Sequence, residues 1–198
     1  MHLPSIKEVK QAQLRFAKKA PRDLFYKAAT ELVDRVERGD SKLELAEAVS
    51  VLLQSWNRRY YNTHPPTERH YRDFQRTLDR YATELSNFRA RGIGTFQKAD
   101  QQTVDELFDE LDYLLGPVGA AKALHLLAPQ FFPIWDRRIA SKGYGIYLQE
   151  KGLNAELYVR FMRVARDQCA GLGGAFPNPV KALDEWNYMT ITNRPTQT

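Results

Sequence analysis

Between Leu114 and Gly145 the chain reads LLGPVGAAKALHLLAPQFFPIWDRRIASKGYG, and Asp136 is the only acid in it. An acid between Trp135 and Arg137, just ahead of a helical segment, has two uses. It caps the helix by accepting backbone N–H bonds. Ionised, it also stabilises positive charge developing in a reacting group and orients or deprotonates water. The two uses are compatible. Upstream, Leu115-Gly116-Pro117-Val118-Gly119 sets two glycines where a chain turns tightly between two helices. Glycine accepts positive φ and has no side chain, so the amides opening the next helix are left free for an anion such as phosphate. Gly116, Val118 and Gly119 are the candidate contacts.

Further groups suit binding. Trp56, Asn57, Tyr60 and Tyr61, in LLQSWNRRYYNTHPP, offer ring faces for stacking and an amide for reading a polar edge. Trp56 and Tyr60, spaced i, i+4, equally suit a core stripe. Arg89 and Arg91 precede a Gly-Ile-Gly loop, as phosphate contacts or as cations placed favourably at a helix C-terminus. Arg137, Arg138 and Lys142 follow Asp136; those facing outward suit phosphate, and one of them is placed to pair with Asp136. His125, among leucines, reads as a core histidine, and no second His or carboxylate stands at metal-ligand spacing on its helix. KALDEWNY carries Asp184, Glu185, Trp186 and Asn187 after Pro179. This segment closes a pocket from a second lobe, through Trp186, or simply docks through Leu183 and Trp186.

The elements that must position these groups are helical. From Gln101 the apolar residues Val104, Leu107, Phe108, Leu111, Leu114 and Leu115 follow the i, i+3, i+4 pattern of a buried stripe, with acids on the other face. Similar stripes run through Ile6 to Ala17, Leu24 to Val36, Leu43 to Trp56 and Leu157 to Val164. A long polar helix is expected from Glu68 to Arg89. Pro21, Gly39, Pro65-Pro66, Gly92, Gly94 and Gly116 mark the breaks. The expected fold is all-α: one domain over 1–198 with eight to ten helices, a core at about 101–146 and a flanking lobe from 1–92 and 153–190. A ligand groove between the lobes follows naturally. NRPTQT at the end reads as a disordered tail.

Composition narrows the classes. In 198 residues, 43% are hydrophobic and 27% charged, which is ordinary for a globular chain. No run of apolar residues suffices to span a membrane, and Met1 to Ala20 carries charges where a signal peptide needs an apolar block, so a cytoplasmic address is expected. The single cysteine, Cys169, excludes an internal disulfide and any four-cysteine metal or cluster site within this chain. A net charge of +5 permits a polyanionic partner without specifying one.

The hairpin, the helix after it, the strip from Pro129 to Pro133 and Asp136 together resemble the helix-hairpin-helix DNA glycosylase superfamily, which includes endonuclease III and the alkylpurine glycosylases. The resemblance covers about thirty residues, and hairpins of this kind also occur in proteins that only bind DNA. The family hairpin reads Leu-Pro-Gly-Val-Gly; here its middle pair is exchanged, and the span from hairpin to acid is a few residues shorter. The resemblance implies a DNA glycosylase that grips duplex DNA at the hairpin and flips a damaged or modified base. Asp136 would then hydrolyse the glycosidic bond. Members that also cut the sugar-phosphate chain carry a lysine two residues after the second hairpin glycine, where this chain has Ala121. Lys122 is one step on, a rotation of about 100° on a helix, so it is expected as a substrate-binding group in a monofunctional, water-using enzyme. No organic cofactor is implied, and a monovalent cation at the hairpin carbonyls is compatible with the motif. Double-stranded DNA is the expected partner, with no membrane and no obligate protein partner. The alternative is a non-catalytic helix-hairpin-helix DNA-binding module in which Asp136 only caps its helix.

Overall fold

A computed structural model describes residues 3–19 and 21–193. Of the expected tail NRPTQT, Asn193 is described and residues 194–198 lie outside the described residues. The fold is all-α, and no strand occurs among the described residues. The helices are α1 (Ile6–Ala17), α2 (Pro21–Glu37), α3 (Leu45–Trp56), α4 (Arg58–Thr63), α5 (Glu68–Arg80), α6 (Ala82–Arg89), α7 (Gln101–Leu127), α8 (Ala155–Leu172) and α9 (Pro179–Asn187).

Local sequence sets several of these boundaries. Ser5 and Glu8 form a reciprocal capping box at α1: the Glu8 amide donates to Ser5 Oγ at 3.3 Å and the Ser5 amide to Glu8 Oε2 at 2.8 Å. Asn178 caps α9 by accepting from the Lys181 amide at 3.0 Å, with Pro179 at the first helical position, where its missing N–H is not needed. The polar helix expected from Glu68 to Arg89 is broken at Tyr81, whose backbone leaves the helical region at φ −103°, ψ 19°.

α7 is the central element and packs against α2, α3, α5, α6 and α8. Its Val104, Leu107, Phe108, Leu111 and Leu115 are buried as the stripe requires. The acids do not all face outward, however. Asp112 is fully buried, and its Oδ2 accepts from the Gly152 amide at 3.0 Å and from Asn154 Nδ2 at 2.8 Å, tying down the loop that carries Lys151. Burial holds the Asp112 carboxyl above its ordinary range, against the lowering effect of those two bonds.

The turn expected at Gly116 is a one-residue break inside α7, at φ 72°, ψ 164°. Glycine alone occupies that region comfortably. The next helical segment starts at Pro117, directly after that glycine. Gly116, Pro117 and Gly119 are buried and only Val118 is partly open, so the segment is packed into the body of the protein and is not a protruding loop.

Two cores result. The larger joins α2, α3, α5 and both halves of α7 to α8 around Trp135, Tyr158, Phe108 and Phe161. The smaller brings α1 against α9 through Val9, Phe16, Leu183 and Trp186, and the lower half of α8 closes it with Cys169 and Leu172.

Candidate functional site

A cavity of about 1240 Å³ lies where the two cores meet. The large core contributes Trp56, Asn57, Tyr60 and residues 115–119 with Lys122; the small core contributes Phe16, Asp184 and Tyr188. Asp136 lies between them, on the turn into the short segment Ile139–Gly143. The volume exceeds the usual range for small-molecule pockets, roughly 300–1,000 Å³.

Asp136 caps its helix. Its Oδ1 accepts from the Ile139 amide at 2.6 Å, and its backbone carbonyl accepts from the Ala140 amide at 2.8 Å. Its Oδ2 receives only a long contact from Thr192 Oγ1, at 3.4 Å, among the described residues. None of the three cations that follow it forms a salt bridge with it. Arg137 reaches toward the Leu148 carbonyl at 3.5 Å, and Arg137, Arg138 and Lys142 are all exposed.

The aromatic wall is braced from behind. Trp56 stacks on Tyr26, with ring centroids 6.0 Å apart and planes 15° from parallel. Tyr26 Oη lies 2.9 Å from His125 Nε2, and His125 Nδ1 lies 2.8 Å from the Phe132 carbonyl. A carbonyl only accepts, so Nδ1 carries the proton and Nε2 accepts from the tyrosine. Burial pushes His125 down to about 3, which keeps it neutral. It holds the wall in place and lies outside the cavity lining. On the cavity side, Lys122 Nζ donates to Asn57 Oδ1 and contacts the Trp56 carbonyl at 3.4 Å. With Oδ1 so occupied, the Asn57 amide NH₂ is the end left to read an acceptor. Lys151 Nζ donates to Tyr60 Oη and stands 4.9 Å from the Tyr60 ring centroid.

Asp184, named in the sequence with Glu185, Trp186 and Asn187 on the segment expected to close a pocket or to dock, enters the cavity from α9. It is 9% exposed and belongs to a cluster of three carboxylates around one ammonium. Lys181 Nζ lies 3.1 Å from Glu185, 3.7 Å from Asp184 and 3.8 Å from Asp23. Glu185 also accepts from Gln13 Nε2 at 2.8 Å, whereas among the described residues no donor comes within hydrogen-bond distance of the Asp184 carboxylate. Burial first, and the nearby charges of Glu185 and Asp136 after it, push Asp184 up to about 6 against the opposing pull of Lys181 and Lys122.

The other expected site residues take different places. Trp186 is packed in the small core and does not line the cavity; its neighbour Asp184, two positions back on α9, does. Tyr61 is 8% exposed and turned into the large core, its ring 5.2 Å edge-on to Tyr60. Arg89 pairs with Asp34 and with Glu37 at 3.1 Å and donates to the Leu127 carbonyl at 2.7 Å. Arg91 grips both oxygens of Asp100 at 2.8 Å and the Thr95 carbonyl at 2.8 Å. Arg89 thus ties α6 to α2 and α7, and Arg91 fastens the segment after α6 to the start of α7, rather than facing a ligand. Lys142 lies outside the cavity lining, whereas Arg137 lies at its edge. The Cys169 thiol is buried and pushed up to about 12, far from thiolate chemistry. Among the described residues no group of three His, Cys, Asp or Glu side chains is placed to hold a metal ion, and no helix is long and apolar enough to cross a membrane.

Comparison with protein-family models, with curated proteins and with solved structures returns no match to this chain.

Proposed function

We propose that the protein is a monofunctional DNA glycosylase, acting in the cytoplasm on a damaged or chemically modified base, in base-excision repair or in defence against phage carrying modified DNA. The observation that carries this reading is Asp136: a carboxylate with one oxygen committed to a helix cap and the other weakly engaged, beside a large cavity walled by Trp56 and Tyr60. A base rotated out of duplex DNA needs a ring face to stack on and a polar reader, which Trp56, Tyr60 and the Asn57 amide provide. As the C1′–N bond breaks, positive charge gathers on the sugar. Asp136 stabilises it and takes a proton from the attacking water. The amides that start the helix at Pro117 border the same cavity, and their positive dipole end suits a phosphate or a sugar oxygen. Lys122, held by Asn57, acts as a binding group in this scheme, and exposed Arg137 and the net charge of +5 favour the DNA backbone.

The test is incubation of the protein with duplexes that each carry one damaged or modified base, methylated and glucosylated cytosines included, followed by alkali. Strand cleavage that needs both alkali and Asp136 supports the reading. Full activity in Asp136→Asn removes the catalytic role. An intact panel with a retained, salt-sensitive gel shift favours a DNA-binding module in which Asp136 is only a cap.

A further inference from the structure

The cavity contains a second acid that the scheme above leaves idle. Resting on the glycosylase reading, we propose that Asp184 is the general acid of the reaction, protonating the departing base while Asp136 acts on the attacking water.

The geometry makes the two carboxyls unequal. Asp136 has the Ile139 amide on one oxygen and Thr192 near the other. Asp184 has neither. Its nearest cation, Lys181, lies closer to Glu185 and is shared with Asp23. The charged and titratable groups around it come from every side: Lys181 and Glu185 on α9, Asp23 and Tyr26 on α2, Lys122 on α7, Tyr144 from the turn after Ile139–Gly143, and Asp136 across the cavity. Acids outnumber cations there, and burial adds to the cost of a further anion, so Asp184 keeps its proton up to about pH 6, above the ordinary aspartate range. A carboxyl that burial keeps protonated above its ordinary range, in one cavity with a second carboxyl, is suited to general-acid work.

The step balances. The C1′–N bond breaks with its electron pair going to the base nitrogen, and Asp184 supplies the proton that neutralises the leaving base. Water oxygen bonds to C1′, and Asp136 takes the water proton. The pair then holds a protonated Asp136 and an ionised Asp184, and exchange with solvent resets both.

The experiment uses the duplex from the panel above that the wild type processes fastest, in single-turnover base release between pH 4.5 and 8.5. The wild-type rate is expected to fall as pH rises through about 6. Asp184→Asn is expected to lose about 100-fold or more at pH 6 and to lose that limb of the profile. Asp184→Glu is expected to restore part of the rate together with the limb, which a merely structural role for Asp184 does not produce. In parallel, carbon-13 NMR of the side-chain carboxyls reads Asp184 without any substrate, and Asp136→Asn is expected to move its titration to lower pH. An Asp184 that titrates in the ordinary aspartate range, or an Asp184→Asn variant that releases base at the wild-type rate with the wild-type profile, overturns the assignment and leaves the glycosylase reading standing. A wild type that releases no base from any duplex overturns that reading, and the assignment with it.

Discussion

The Asp136 carboxylate accepts the Ile139 backbone N–H at 2.6 Å, so the acid proposed for catalysis also starts a helix. The two roles separate by substitution. Asp136→Asn keeps an oxygen for the cap and is expected to stay folded with base release abolished. Asp136→Ala loses the cap as well, at about 0.5–2 kcal/mol. Urea denaturation of the two variants side by side checks this; equal stabilities mean that the cap contributes nothing.

Asp184 is expected to weaken the protein at neutral pH. Its carboxyl is raised from 3.8 to about 6 on folding. Between those values the folded state binds more protons than the unfolded one, so this group's contribution falls as pH rises toward 6 and stays low above it. Asp184→Asn is therefore expected to gain about 1–3 kcal/mol at pH 7.5 and little near pH 4. Denaturation at both pH values decides the matter, and a variant that is less stable at pH 7.5 contradicts the burial cost assigned to Asp184.

His125 acts in the opposite sense. Its folded value is lowered to about 3 from 6.5, so the stability it confers is complete above 6.5 and is lost as pH falls toward 3. In the wild type this loss is offset in part by Asp184, whereas the Asp184→Asn variant should show a steeper decline below pH 6.5. Nitrogen-15 spectra of the imidazoles are expected to show Nδ1 protonated and Nε2 bare down to about pH 4. A ring that becomes cationic near pH 6 refutes the Tyr26-to-Phe132 bridge.

Gly116 and Gly119 serve different needs. At φ 72°, ψ 164°, Gly116→Ala is expected to cost about 1–3 kcal/mol from backbone strain alone. A Cβ on Gly119 meets Leu115 Cβ at 2.8 Å and lies 3.5 Å from Asn57 Nδ2, so Gly119→Ala presses on the cavity wall and is expected to cost about 1–3 kcal/mol. The double variant Gly119→Ala with Leu115→Gly removes the opposing Cβ and relieves that clash, and failure of the second change to soften the first in a thermodynamic cycle argues against it.

Arg91 is read here as structural. Arg91→Lys loses the two-pronged grip on Asp100 and is expected to cost about 1–2 kcal/mol, with duplex affinity at fixed salt unchanged. A drop in affinity without a drop in stability returns Arg91 to the nucleic-acid contacts.

Much of this protein is local and therefore legible in sequence. The apolar period of α7, the Ser5–Glu8 box, Pro179 after Asn178 and the acid at the start of a helix each follow from neighbours a few residues apart. The same logic grouped Trp56, Asn57 and Tyr60 within five residues, where α3 gives way to α4, and all three line the cavity. What it could not place depends on partners distant in the chain. Every residue of α9 from Val180 to Asn187 is buried, so no apolar period distinguishes Asp184, which meets the cavity, from Trp186, which meets α1. Asp112 looks like another acid on a polar face until Gly152 and Asn154 fold over it. Arg89 and Arg91 look like free cations at a helix end until Asp34, Glu37 and Asp100 arrive from other segments. By itself the sequence determined the helices, because their hydrogen bonds and stripes are short-range. Only the tertiary structure decided which charges are paired, which are buried, and that Asp136 and Asp184 share one cavity, because burial and Coulomb energy depend on distance in space.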